Sequence, residues 1–168
     1  MSSTMNNTLK TLILTLALSL LALPSWGADL TMDDLVYRNG LYYKKFTNEP
    51  FTGEVSGKHS VKFKSGKAHG VWEWYYDNGQ LREVRKYKDG KRDGLYEGYY
   101  DNGQLGSIGK YKEGNRDGLW EWYYDNGQLG GKGNYEDDKR ESYWEFFNED
   151  GTVDTERTGT YKNGVKQD

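Results

Sequence analysis

One decapeptide constrains this chain more than any other feature. "WEWYYDNGQL" at Trp72 to Leu81 is followed by "YEGYYDNGQL" at Tyr96 to Leu105 and again by "WEWYYDNGQL" at Trp120 to Leu129, each 24 residues after the last. The step holds beyond the motif. Glu73, Glu97, Glu121 and Glu145 share one position, Gly79, Gly103, Gly127 and Gly151 another. Leu81, Leu105, Leu129 and Val153 follow, then Tyr87, Tyr111 and Tyr135, with Tyr161 matching after a two-residue insertion. A fixed step of this size means that each copy is one supersecondary unit stacked on its neighbours.

The unit reads as a β-hairpin. Aromatic residues favour strands. Asn-Gly marks a hairpin turn and predicts type I′, with positive φ at both central residues. "QLREVRKYK" is the return strand, and "DGKRDG" (Asp89 to Gly94) and "EGNRDG" (Glu113 to Gly118) read as second turns leading to the next copy. Glycine at this frequency disfavours helix. The expected fold is therefore all-β: an elongated, single-layer antiparallel meander of repeated hairpins. Each repeat advances roughly 10 Å, two strand spacings.

Strand alternation puts Trp72, Trp74 and Tyr76 on one face, with Leu81 opposite Tyr76, and Glu73 and Tyr75 on the other. Aliphatic residues are scarce, so the buried surface is expected to be aromatic. Trp72, Trp74, Tyr96, Gly98, Trp120, Trp122 and Trp144 form the candidate partner-binding stripe. Trp and Tyr are favoured at binding hot spots. At Gly98 the second copy lacks the ring that both neighbours place there, which suggests a gap between Trp74 and Trp122 able to take an apolar side chain. The same stripe also reads simply as the core of a thin sheet.

The copies resemble the variant MORN repeat in "GKAHGVWEWYYDNGQL", "GKRDGLYEGYYDNGQL" and "GNRDGLWEWYYDNGQL". With the lead-in "RNGLYYKKFTNEPFTGEVSG", the resemblance runs from about Tyr37 to Gly164 and points to YwqK-type antitoxin components. It implies a non-catalytic protein that binds a protein partner, in that family's case a toxin. Residues 70–93, 94–117, 118–141 and a degenerate 142–168 are the expected repeats, and 28–69 a lead-in of capping hairpins.

Other chemistry is poorly supported. His59 and His69 are the only histidines, and His69 occupies the position of Asp93 and Asp117. No spacing suggests a nucleophile–base–acid set. The Glu row is spaced too widely for one metal ion to bridge two carboxylates, and the turns lack the acidic spacing of a calcium loop. No cofactor and no metal are expected. Binding of carbohydrate or a cell-wall ligand by the aromatic stripe is the alternative function.

The first 27 residues read as a signal peptide. Lys10 precedes the apolar run "LILTLALSLLAL", which Pro24 and "SWGAD" end. The run is short of the ~20 residues of a spanning helix, so no stable membrane insertion is expected after cleavage. Without Lys10 the chain carries 22 basic and 26 acidic side chains, a net −4, and no cysteine. That balance argues against a nucleic-acid partner. The expected location is the periplasm or the exterior. N-terminal sequencing of the exported protein should therefore start at Ala28; an intact Met1 in a membrane fraction would refute the cleavage.

Overall fold

The computed structural model describes residues 29–168. The signal-peptide segment lies outside the described residues. A 3-10 turn, Met32–Asp34, leads into β1 (Leu35–Arg38) and β2 (Leu41–Lys44), which pair only with each other. All later strands form one sheet: β3 (Gly53–Val55), β4 (His59–Lys64), β5 (Lys67–Ala68), β6 (Gly70–Tyr75), β7 (Leu81–Lys88), β8 (Lys91–Tyr99), β9 (Leu105–Lys112), β10 (Asn115–Arg116), β11 (Gly118–Tyr123), β12 (Leu129–Glu136), β13 (Lys139–Phe146), β14 (Gly159–Lys162) and β15 (Val165–Lys166). Strands pair antiparallel and in chain order, with β5 and β10 as short branches on β4 and β9. The all-β meander expected from the repeat is what forms.

Two kinds of turn alternate along it. The Asn-Gly turns of the decapeptide, at Asn78-Gly79, Asn102-Gly103 and Asn126-Gly127, are not type I′. Tyr76 N–H donates to Gln80 O at 2.8 Å, Gly79 N–H donates to Tyr76 O at 3.0 Å, and positive φ falls on Gly79 (83°) but not on Asn78. This is the three-residue loop, a type I turn closed by a left-handed glycine, and it carries a bulge. The register shifts between Trp74 and Tyr75, so Leu81 pairs with Tyr75 rather than with Tyr76. The type I′ turns lie at the other end of the hairpins. Asp89-Gly90 and Glu113-Gly114 both have positive φ at each central residue. The segments expected as six-residue turns are thus two-residue turns, and Lys91 and Asn115 already belong to strands.

Asn in the motif serves a different purpose. Asn78 Oδ1 accepts Gln80 N–H at 3.0 Å, and its Nδ2 donates to Asp101 O at 2.9 Å, in the next copy. Asn102 and Asn126 repeat the link to Asp125 O and Glu149 O. Tyr76, Tyr100 and Tyr124 hydroxyls donate to Tyr99, Tyr123 and Phe147 carbonyls at 2.7, 2.7 and 2.9 Å. The decapeptide recurs because these side chains join each copy to the next.

The Trp face holds the buried cores. Leu35, Val55, Val61, Phe63, Ala68 and Trp72 form one, partly covered by Tyr42 of the β1–β2 hairpin. Trp120, Tyr135, Trp144, Phe146 and Tyr161 form the other. Each core indole N–H donates to a carbonyl ten residues back: Trp72 to Lys62 at 2.7 Å, Trp120 to Lys110 at 3.1 Å, Trp144 to Asn134 at 3.0 Å. Trp120 lies flat over Gly109 and Trp144 over Gly133, in the space where a Cβ would stand. The second copy offers a Tyr at this place, and the residue paired with Tyr96 on the strand before it is Arg85.

On the opposite face Glu73, Glu97 and Glu121 accept the hydroxyls of Tyr75, Tyr99 and Tyr123 at 2.6, 2.9 and 2.6 Å. The Glu121 carboxylate, helped by burial, pushes the Tyr123 phenol up to about 12. Val71, Leu95, Leu119 and Tyr143, again 24 apart, stand exposed on this face.

Gly133→Ala should destabilise by about 2 kcal/mol, the cost of overpacking, and Gly133→Ala with Trp144→Tyr should cost less than the sum of the two single changes in thermal unfolding; strict additivity would refute the Trp-over-Gly contact. For Tyr123, the folded pKa is raised, so its stabilisation is complete below about 10 and is lost as pH climbs towards 12. Glu121→Gln should move one phenol back towards 10 in a phenolate absorbance titration; an unchanged curve would refute the pairing.

Candidate functional site

The predicted stripe divides by burial. Trp72, Trp120 and Trp144 are 8%, 2% and 0% exposed and belong to the cores, so they offer a partner almost nothing. Trp74, Tyr96 and Trp122 are half-buried, and Gly98 is buried. The five Trp of the stripe thus divide into a buried set, Trp72, Trp120 and Trp144, and a half-buried pair, Trp74 and Trp122, so only part of the stripe is open to a partner.

The gap at Gly98 is also different from the apolar notch expected. A Cβ there would meet Tyr96 Oη at 2.7 Å and Ser107 Oγ at 2.9 Å. Gly98 pairs with Glu83 on one side and Ser107 on the other. The missing ring is replaced by polar groups. Arg85 Nε donates to Glu83 Oε2 at 3.0 Å, and its guanidinium lies over Trp74 at 4.8 Å. Burial opposes the Arg85 charge, but hydrogen bonds to Tyr87 and Glu83 outweigh it and hold the guanidinium above its ordinary pKa. Burial pushes the Tyr96 phenol up, and the Ser107 hydrogen bond pulls it partly back.

Beside this cluster the face opens into two adjoining concavities. The first, about 340 Å³, is lined by Tyr76, Arg82, Glu83, Tyr96, Gly98 and Ser107, among others. The second, about 370 Å³, is lined by Tyr124, Gly130, Gly131, Arg140, Phe146 and Arg157, among others. Tyr100, Gly106 and Trp122 belong to both, so they make one groove along the direction of the repeats. Glycines keep it open. A Cβ at Gly106 would meet the Tyr100 ring at 3.0 Å, and one at Gly130 the Tyr124 ring at 3.1 Å.

The two-residue insertion of the last copy shapes the far end. Asp154 Oδ1 accepts Arg157 N–H at 2.9 Å, and its Oδ2 takes Arg157 Nε at 2.6 Å. These bonds hold the Asp154 carboxyl below its usual pKa and raise that of Arg157. Of the predicted residues, Tyr96, Gly98 and Trp122 line the groove; Trp74 does not. Sequence reasoning missed Tyr100, Tyr124, Arg82, Glu83, Ser107, Arg140 and Arg157. For Arg82, Glu83 and Ser107 the signal was a departure from the repeat, since Arg82 stands where the next copies have Gly106 and Gly130; Tyr100, Tyr124 and Arg140 recur at the 24-residue step and carried no such mark.

The chemistry offered is recognition. Rings, guanidiniums and hydroxyls line an open trough. Among the described residues no cluster of three or more His, Asp or Glu side chains is placed to hold a metal ion.

The model of the MORN repeat variant matches residues 68–89, 92–113 and 116–137. The lead-in and the fourth, degenerate copy lie outside the matched residues. No curated protein sequence matches the chain. Among solved structures, that of a GtfA/B complex bound to UDP and GlcNAc is 14% identical with a TM-score of 0.28, covering 82% of this chain and 27% of that one. The accessory secretory protein 1, 2 and 3 structure from Streptococcus pneumoniae is 14% identical with a TM-score of 0.24, covering 75% of this chain and 21% of that one. This chain thus spans about a quarter of the length of those chains. The chain therefore carries three consecutive units that match the MORN repeat variant, each at a position where the sheet repeats its hairpin.

Proposed function

We propose that the protein mediates protein–protein interaction in the cell envelope, without catalysis, by holding an extended segment of a partner in the groove of the Trp face. The continuity of the two concavities through Tyr100, Gly106 and Trp122 carries this reading. An elongated trough with aromatic walls suits a chain laid along it, and Trp, Tyr and Arg are the side chains that most often dominate binding energy. The envelope location rests on the apolar leader, and engagement of a toxin would be one case of such binding.

Trp122 is the wall common to both concavities. Trp122→Ala should weaken a purified partner about 30-fold, the effect of a 2 kcal/mol hot spot. A photo-reactive residue at position 157, at the open far end of the groove, should cross-link that partner in intact cells, and the cross-link should be lost in Trp122→Ala. Retention on purified cell-wall polymer with no cross-linked protein would favour the carbohydrate reading instead.

A further inference from the structure

The groove has a charge sign of its own. Its lining contributes Arg82, Arg140 and Arg157 against one carboxylate, Glu83. Glu83 is already engaged by Arg85, and Arg157 by Asp154. Among the described residues Arg82 and Arg140 make no ion pair.

Arg140 shows how this arises. It belongs to a ladder with Arg92 and Arg116, whose guanidiniums lie over Tyr111 at 5.1 Å and Tyr135 at 4.0 Å. Arg116 is neutralised by Asp138 at 2.8 Å. One copy later, allowing for the insertion, the Asp138 position is Gly164. Arg140 keeps its rings, Phe146 at 5.0 Å and Trp144 and Tyr161 at 5.3 Å, but, like Arg92, whose corresponding position is Gly114, it has no acid there. Arg82 is peculiar to its copy, where the next copies have Gly106 and Gly130. The groove therefore carries two uncompensated guanidiniums, one lining each concavity, in a chain whose net charge is −3.

Guanidinium pairs preferentially with carboxylate, in a planar two-bond geometry that a neutral ligand cannot match. We propose that the occupant of the groove is an acidic segment of the partner polypeptide. Carboxylates meet Arg82 at one end and Arg140 at the other, and an apolar or aromatic side chain rests on Trp122 and Tyr100 between them. This rests on the reading of the groove as a polypeptide site and adds the chemistry of the partner.

Selection of a displayed random peptide library on the purified protein tests both parts separately. Enriched peptides should be rich in Asp and Glu with an aromatic residue. A synthetic copy of one should bind more weakly as salt rises. Arg82→Gln and Arg140→Gln should each weaken it about tenfold, while Arg92→Gln, in the same ladder but outside the groove, should leave affinity within about twofold. Equal thermal midpoints would show that the variants fold. Enrichment of neutral or basic peptides dependent on Trp122 would overturn the acidic partner and leave the groove as a polypeptide site. Undiminished binding of acidic peptides to the Arg82→Gln, Arg140→Gln double variant would overturn it too. No enrichment at all would remove the polypeptide site itself. Binding of alginate with the same arginine dependence, and of no peptide, would make the occupant an acidic polysaccharide and overturn the proposal.

Discussion

A one-layer sheet must bury large rings without a second layer to cover them, and the indole over a glycine is how this chain does it. A Trp standing upright on a strand would leave most of its surface in water. Laid flat over Gly109 or Gly133, it contacts backbone on its lower side and Tyr rings at its edge: Tyr111 lies 5.2 Å from Trp120, and Tyr135 lies 5.1 Å from Trp144, both near edge-on. The indole N–H then reaches a carbonyl of the strand below. Trp72 makes the same indole bond, to Lys62 O, but packs against Val61 and Phe63. For Trp120 and Trp144, apolar burial, aromatic geometry and hydrogen-bond satisfaction are met together because the residue beneath has no side chain. That requirement explains the glycine-rich return strands "LGSIGK" and "LGGKGN", which would be poor strands by propensity alone.

Much of this fold could be read from the chain because the same signal is written several times. Strand positions, meander order and the identity of the Trp and Glu faces all follow from alternation and the 24-residue step. The turn geometry did not follow. Asn-Gly serves both a two-residue type I′ loop and a three-residue loop with a left-handed glycine; only loop length distinguishes them, and the bulge at Tyr75 is set by that length. The result moved Leu81 from Tyr76 to Tyr75. The role of Asn also escaped local reasoning, because its partner is a carbonyl 23 residues away.

The candidate site was less legible for a related reason. Repetition identifies scaffold, and the repeated rings Trp72, Trp120 and Trp144 are among those the scaffold buries. The groove combines repeated walls, Tyr76, Tyr100 and Tyr124, with residues that break the pattern: Gly98 for Trp, Arg82 and Glu83 where later copies have small side chains, and the inserted turn that brings Arg157. In an array whose copies each contact only their neighbours, a departure in one copy alters the surface locally without disturbing distant units. Binding features are thus tolerated where the ladder of Tyr and Asn hydrogen bonds is kept.

The second copy shows how that tolerance works. Replacing Trp with Tyr96 shrinks the ring, and the position beneath it no longer has to be glycine. Arg85 occupies it, draws in Glu83, and turns an apolar rung into a half-buried ion pair flanked by Trp74. A buried ion pair adds little net stability once desolvation is counted, so the copy gives up part of an aromatic core. The two aromatic clusters lie on either side, one ending at Trp72 and the other beginning at Trp120. The polar rung between them is where the groove begins. The same substitution that interrupts the core is therefore what opens a polar, charged surface between two rigid supports.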